Sequence, residues 1–142
     1  MKISLATNED DLRRLSGVLR QLRPQYTEDA LIEQIQKQQQ YGYQVAFLEM
    51  DNGIACVAGF VITEKLHWRK ALYVDDLVTD ERQRSKGAGN AMINWLKNFA
   101  RENGCRELHL DSGNQRKDAH RFYDREGFDQ CSLHFSIPLT DQ

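Results

Sequence analysis

The stretch from Lys70 to Ala100 joins a strand to an amphipathic helix through a basic loop that contains two glycines. The run KALYVDDLVT (residues 70–79) is rich in the apolar and β-branched side chains that favour strands. The helix after the loop carries apolar residues spaced three and four apart, as a helix with one buried face does. These are Ala88, Ala91, Met92, Trp95, Leu96, Phe99 and Ala100. A strand leading into such a helix predicts an α/β domain in which the helix covers one face of a sheet.

The loop RQRSKGAG (residues 82–89) has the composition of an anion-binding site. The first N–H groups of a helix lack intrahelical partners, and the helix dipole places partial positive charge there. Gly87 and Gly89 would let phosphate oxygens approach the backbone, while Arg82, Arg84 and Lys86 add charge. The alternative at this point is an ordinary basic loop whose glycines serve helix packing.

Two familiar phosphate-binding motifs fit this loop poorly. A P-loop places its lysine after the last glycine, whereas Lys86 precedes both glycines. A dinucleotide-binding fingerprint requires a third glycine where Met92 stands. Asp111 could supply the acidic residue that such a fold expects after the next strand. A dinucleotide-binding enzyme is therefore kept as a minor alternative.

The remaining segments predict a mixed sheet with helices on both faces. Thr7 or Asn8 and then Thr27 have side chains suited to cap helices, and DNG at 51–53 is a strong hairpin signal. In chain order we expect a strand (2–6), a helix to about Leu22, a helix capped by Thr27, two strands flanking the hairpin turn, the strand 70–79, the helix described above, a strand (106–112), a helix (116–126) and one or two final strands from residue 128.

Composition narrows the class of protein further. The 142 residues fit one domain, and no apolar run approaches the roughly 20 residues that span a bilayer. The formal net charge of −2 argues against a general nucleic-acid binder. Three cysteines without a CxxC pair suggest neither a disulfide framework nor a zinc site. The acidic start, MKISLATNEDD, lacks the apolar core of a signal peptide, so we expect a cytoplasmic protein without nucleic-acid or membrane partners.

Two stretches resemble the signatures of the GNAT superfamily of N-acetyltransferases. RSKGAG (residues 84–89) is similar to that superfamily's (Q/R)xxGx(G/A) loop, and DAHRFYDREGF (residues 118–128) is similar to its second signature. The resemblance covers essentially the whole chain. It implies one domain over residues 1–142 with a GNAT-type α/β (mixed α+β) fold. The expected sheet is central, mixed and mostly antiparallel, with six to seven strands and about four helices on both faces.

The resemblance also implies acetyl-CoA as co-substrate. Its pyrophosphate would lie on the loop amides, and its pantetheine arm would lie along the end of the strand 70–79. The family often places Asn three residues before the signature Ala, where this chain has Arg116, so Asn114 is the substitute candidate. The residues implied for acetyl-CoA are Leu77, Val78, Thr79, Arg84, Ser85, Lys86, Gly87, Ala88, Gly89, Asn114, His120 and Tyr123.

Direct acetyl transfer to an amine sets three chemical requirements. An alkyl ammonium with a pKa near 10 must lose a proton, for which Asp75 and Asp76 are the candidate carboxylates. Adjacent residues of a strand point to opposite faces, so only one of them can face the cleft directly, and the resemblance favours Asp76, as base or ammonium partner. By resemblance, Tyr123 would serve the departing thiolate. A backbone N–H near Leu77 or Val78 would polarise the thioester carbonyl. Asp75, Asp76 and Asp111 are the acids expected to meet the substrate, and no histidine spacing indicates a metal.

The acceptor is left open between several classes. The second signature is similar to aminoalkylphosphonate and small-amine N-acetyltransferases. Lys65, His67, Arg69 and Lys70 could bind a phosphonate, although an exposed hairpin tip is the simpler interpretation. Acids lining the cleft would favour a polycation, and a peptide amine would undergo the same chemistry. Two further expectations are a homodimer and, as the alternative to an enzyme, a non-catalytic acyl-CoA-binding module.

Overall fold

The computed structural model describes residues 1–84, 86–113 and 115–140. It contains two compact units, Met1–Leu110 and Asp111–Gln142. The first unit holds all five strands of the described residues, and the second holds the last helix. The elements are β1 (Lys2–Leu5), α1 (Glu9–Leu22), α2 (Glu28–Gln39), β2 (Gln44–Met50), β3 (Gly53–Lys65), β4 (Arg69–Thr79), a 3-10 turn (Glu81–Gln83), α3 (Ala88–Glu102), β5 (Glu107–Leu110) and α4 (Lys117–Arg125).

The five strands form one mixed sheet in the order β1-β2-β3-β4-β5. The first three pairings are antiparallel, and β4 pairs with β5 in parallel. The prediction of a mixed sheet is confirmed, but the prediction of six to seven strands is wrong for the described residues. Residues 128–139 alternate apolar and polar side chains without forming a strand, because alternation alone supplies no partner for the backbone groups. Four large apolar side chains of that segment are at least 70% exposed: Leu133, Phe135, Ile137 and Leu139.

Helices cover both faces of the sheet within the first unit. On one face, Leu15 of α1 belongs to a buried cluster with Phe47 of β2 and Val57 of β3. On the other face, Phe60 of β3 makes edge contacts with Phe99 of α3, at 5.5 Å between ring centroids. Successive side chains of a strand point to opposite faces, so β2 and β3 supply both cores. The predicted helices on both faces are confirmed for α1, α2 and α3.

Local signals placed the element ends correctly in this unit. The Asn8 side chain caps α1 by accepting from the Asp11 N–H at 2.9 Å, and Thr27 caps α2 by accepting from the Ala30 N–H at 3.2 Å. The DNG turn joins β2 to β3 as expected. Within the described ranges, no helix combines the length and the apolar character needed to cross a bilayer.

Candidate active site

Asp76 lies near the end of β4, on the sheet face that α1 and α2 cover. Val78, two residues further along, belongs to the buried cluster of that face, and strand alternation places Asp76 on the same side. Its carboxylate accepts hydrogen bonds from two side chains that lie outside β4. Tyr43 donates its hydroxyl to Oδ2 at 2.6 Å, and Arg23 donates Nε to Oδ1 at 2.8 Å. The Asp76 side chain is 14% exposed, so this carboxylate is fixed yet reachable.

A β-bulge interrupts the pairing of β3 with β4 beside Asp76. Gly59 pairs with Asp76, but the next β3 residue, Phe60, pairs with Val74, which leaves Asp75 as the extra residue. Asp75 is exposed, and its carbonyl accepts from Arg23 Nη2 at 3.1 Å. The expectation that Asp75 and Asp76 simply alternate across the sheet is therefore modified by the bulge. Bulges re-aim side chains near functional sites, and here the charges of both Asp75 and Asp76 act on the Tyr43 hydroxyl.

The outer edge of β4 opens just after the bulge. Pairing with β5 ends at Val74 and Leu110, whereas pairing with β3 continues to Thr79. The Asp80 N–H bonds the Ala55 carbonyl at 2.8 Å, which sets the alternation of the strand. This alternation directs the Val78 N–H toward β3, and it directs the N–H groups of Leu77 and Thr79 toward the outer edge of β4. Of the two predicted carbonyl-polarising amides, Leu77 is therefore the one that faces away from the ladder.

The loop after β4 is anchored at its start by a buried carboxylate. Asp80 accepts from Gln21 Nε2 of α1 at 3.1 Å and from Arg82 Nη2 at 3.1 Å. Burial acts to raise the pKa of Asp80, but the hydrogen bonds from Gln21 and Arg82 outweigh it and lower the pKa below its usual value. Gln21 also accepts from the Glu81 N–H at 3.1 Å. Arg82 is therefore committed to Asp80 and belongs to the anchor of the loop.

The N-terminus of α3 has the features of an anion site. Gly87 adopts a left-handed φ of 85° at the N-cap position, and it has no side chain with which to cap the helix. The first intrahelical bond is the one from the Ala91 N–H to the Gly87 carbonyl. The N–H groups of the first turn thus precede the start of the helical ladder, with no acidic side chain among them. Arg84 and Lys86 are exposed beside this turn, while Ser85 lies outside the described residues.

The second unit carries the other predicted residues. Tyr123 of α4 is buried, and its ring contacts Phe122 and Phe128 edge-on at 5.5 and 5.9 Å between centroids. His120 Nε2 donates to the Gly113 carbonyl at 2.8 Å, which ties the start of α4 to the preceding loop. Asp111 is exposed and lies 3.7 Å from the His134 ring. Asn114, the substitute candidate for acetyl-CoA, lies outside the described residues.

The four cations considered for a phosphonate do not converge near Asp76. They belong to the tip between β3 and β4, where Lys65 pairs with Arg69. Lys65 Nζ lies 4.3 Å from the centre of the Trp68 ring, so this ammonium is used in a cation–π contact. Lys70 is six strand residues from Asp76, a separation of about 20 Å. The hairpin-tip interpretation therefore fits the structure.

Two cysteine thiols are poor nucleophiles. Burial raises the pKa of Cys56 to about 11, and a hydrogen bond from Thr79 opposes this shift without cancelling it. Burial also raises the pKa of Cys105, against the nearby charge of Lys70. Since the thiolate is the reactive form, neither cysteine suits a covalent acyl intermediate near neutral pH. Within the described ranges, no group of three or more His, Cys, Asp or Glu residues is arranged to hold a metal ion.

Sequence reasoning missed the donors that hold the two carboxylates. Tyr43 and Arg23 are 33 and 53 residues from Asp76 along the chain, and Gln21 is 59 residues from Asp80. One signal was available, because an isolated glycine inside a strand marks a bulge or a close approach. Gly59 meets both descriptions.

Comparison with known proteins gives a consistent result. The sequence profile described as "Acetyltransferase (GNAT) family" matches residues 10–128. An uncharacterised N-acetyltransferase of Bacillus subtilis is 30% identical over 135 residues, covering 94% of this chain and 95% of that protein. An aminoalkylphosphonate N-acetyltransferase of Salmonella typhimurium is 33% identical over 66 residues, covering 46% of this chain and 43% of that protein. The crystal structure of an aminoglycoside N-acetyltransferase with CoA shares the fold, with a TM-score of 0.80, 17% identity and coverage of 98% and 96%.

Proposed function

The chain belongs to the acetyltransferase (GNAT) family, and we propose that it transfers the acetyl group of acetyl-CoA to a primary amine of a small molecule or a peptide. It is an acyltransferase by family, with acetyl-CoA as co-substrate. The observation that carries the proposal is the Asp76 carboxylate, held by two donors at the point where the outer edge of β4 opens. Three cysteines without a disulfide support the cytoplasm as the site of the reaction.

The first unit offers backbone groups suited to acetyl-CoA. We assign the pyrophosphate to the N-terminus of α3, where the first-turn N–H groups and the exposed Arg84 and Lys86 favour an anion. The outward N–H of Leu77 is the donor we assign to the thioester carbonyl, since a fixed amide stabilises the negative charge that develops on that oxygen. The Thr79 hydroxyl is committed to Cys56 at 3.7 Å, so this residue would contribute its backbone.

The reaction we propose is direct attack of the amine on the thioester. Asp76 accepts a proton from the substrate ammonium, the freed nitrogen forms the C–N bond, and the C–S bond breaks. We assign the proton for the departing CoA thiolate to the Tyr123 hydroxyl, and the second proton that the nitrogen loses as the amide forms restores that hydroxyl through solvent. The high pKa of the Cys56 thiol supports a route without an acyl-cysteine.

The charges around Asp76 favour some acceptors over others. Arg23 balances one of the two carboxylates, because its Nε lies 2.8 Å from Asp76. An amine that also carries an anionic group would find both signs of charge here, with Asp75 and Asp76 for its ammonium and Arg23 for its anion. The Salmonella relative is named for such acceptors. We therefore propose aminoalkylphosphonates and similar zwitterions ahead of polyamines and aminoglycosides.

Two measurements test the proposed reaction. Acetyl-CoA at a hundred times its Kd should add about 2.7 kcal/mol to the free energy of unfolding, whereas NAD should add nothing. Release of free CoA thiol should then identify the acceptor among aminophosphonates, small amines, polyamines, aminoglycosides and peptides. No stabilisation by acetyl-CoA would refute the proposal, and stabilisation without thiol release for any acceptor would favour an acyl-CoA-binding module.

The role of Tyr123 has its own test. Tyr123→Phe should lower turnover by well over tenfold and leave acetyl-CoA affinity nearly unchanged, because only the hydroxyl is lost. Tyr41→Phe is the matched control, since Tyr41 is 83% exposed. Unchanged turnover in Tyr123→Phe would remove Tyr123 from the mechanism.

We also propose a homodimer. Leu133, Phe135, Ile137 and Leu139 are each at least 70% exposed and alternate with polar or small residues, a pattern suited to pairing with another chain. Sedimentation equilibrium of the wild type and of Phe135→Ser would test this directly. A monomer at micromolar concentration in the wild type would contradict it.

A further inference from the structure

Tyr43 passes unusually close to the backbone of β3. A Cβ atom built on Gly59 would lie 1.7 Å from the Tyr43 hydroxyl oxygen and 2.4 Å from the ring carbon that carries it. Atoms that are not bonded to each other cannot come this close, so the position of the phenol requires glycine at residue 59. Gly59 is also the cross-strand partner of Asp76 at the bulge. Over Gly59, the Tyr43 hydroxyl comes within hydrogen-bond reach of the Asp76 carboxylate.

Tyr43 itself is held firmly at the position just before β2, the strand beside β3 in the sheet. Its side chain is 4% exposed, and its N–H bonds the Gln38 carbonyl at the end of α2 at 3.2 Å. Gly42 supplies the turn before it with a φ of 99°, which side chains rarely tolerate. The phenol therefore approaches Asp76 from a fixed backbone position.

The two donors restrict the Asp76 carboxylate in different ways. The terminal torsion of an Asp side chain has a broad energy profile, so an unbonded carboxylate would rotate freely. Tyr43 fixes Oδ2, and Arg23 fixes Oδ1 from the residue after α1. Arg23 is 40% exposed, whereas Tyr43 is buried, so a substrate could displace the guanidinium more easily than the phenol.

Tyr43 stays a donor over the working pH range. Burial raises the pKa of its hydroxyl far above the usual value, and the charge of Asp76 raises it further. The charged groups that face Tyr43 are Asp76, Asp75 and Arg23, of which Arg23 opposes the shift. The proton between Tyr43 and Asp76 therefore belongs to the phenol, and the carboxylate can take up another.

We propose that Tyr43, seated over Gly59, is a positioning residue that orients the Asp76 carboxylate for removal of the acceptor's proton. This inference rests on the proposed role of Asp76. Gly59 takes part because any larger residue would push the phenol away from Asp76. The Arg23 bond completes the orientation until the substrate ammonium arrives.

The experiment compares Tyr43→Phe, Gly59→Ala and Asp76→Asn with the controls Tyr41→Phe and Gly17→Ala. Tyr41 is 83% exposed, and a Cβ on Gly17 would meet nothing within 4 Å. Tyr43→Phe and Gly59→Ala should each lower kcat by about tenfold with the KM for acetyl-CoA unchanged, since one hydrogen bond to a charged group is lost.

Several outcomes decide the inference. Tyr43→Phe should have no further effect on the residual rate in an Asp76→Asn background, because both changes act at one carboxylate. Wild-type kcat in Tyr43→Phe, with Asp76→Asn strongly impaired, would overturn the inference while the proposed function stands. Full activity of Asp76→Asn would instead overturn the proposed role of Asp76. If Gly59→Ala does not fold, Tyr43→Phe decides alone.

Discussion

Asp76 and Asp80 lie four residues apart at the end of β4, and each carboxylate accepts bonds from an arginine and a neutral side chain. For Asp76 the donors are Arg23 and Tyr43, whereas for Asp80 they are Arg82 and Gln21. The two carboxylates differ in how far solvent and ligands can reach them. The Asp76 side chain is 14% exposed and the Asp80 side chain 2% exposed. An enclosed carboxylate can only hold its neighbours in place, while a fixed but reachable one can also exchange a proton with a ligand.

Replacing Asp76 should have the largest effect on catalysis. Asp76→Asn should lower kcat/KM for the amine by about a hundredfold or more, because the amide cannot take up the ammonium proton. Its cost in stability should stay within about 1 kcal/mol, since the Arg23 partner is 40% exposed and screened by solvent. Steady-state thiol release and urea unfolding measure the two quantities. Asp129→Asn, at an exposed position, is the control. Near wild-type kcat/KM in Asp76→Asn would place the base elsewhere.

Replacing Asp80 should have the opposite signature. Asp80→Asn should lower the free energy of unfolding by about 2 kcal/mol, because the amide places an NH2 donor opposite the Arg82 guanidinium on a side chain that is only 2% exposed. Turnover at saturating acetyl-CoA should change less than threefold. Urea unfolding and saturation kinetics test this pair of expectations. A large loss of kcat with unchanged stability would erase the distinction between the two carboxylates.

The strand–loop–helix unit was predictable because its signals are local. Apolar spacing located α3, and DNG located the hairpin between β2 and β3. The adjacent acids pointed to Asp75 and Asp76, and the family resemblance favoured Asp76. The donors of both carboxylates were not predictable, since Tyr43 and Arg23 reach Asp76 across tertiary contacts that no spacing records. The predicted final strand failed for a related reason. Alternation over residues 128–139 specifies two faces of a strand but no neighbour to pair with.

The loop anchor can be weakened without touching either carboxylate. Gln21→Ala removes the donor to Asp80 and the acceptor of the Glu81 N–H, so it should cost about 1 kcal/mol of stability. The Kd for acetyl-CoA should rise about threefold, because the loop before α3 is less well fixed, while kcat stays near the wild-type value. Titration calorimetry and urea unfolding measure these changes. Gln36→Ala, on the exposed side of α2, serves as the control. Equal behaviour of the two variants would show that the anchor is dispensable.

The smallest expected effect is a pH dependence of stability that comes from Asp80. Because the pKa of Asp80 is lowered in the folded state, its ionisation stabilises the fold at any pH above the unfolded value of about 3.9. That contribution should disappear as the pH falls below about 4 and through the lower, folded pKa. The difference in urea midpoint between wild type and Asp80→Asn should therefore be constant from pH 8 to 5 and narrow by pH 3. A difference as large at pH 3 as at pH 6 would mean that the charge of Asp80 is not what Gln21 and Arg82 stabilise.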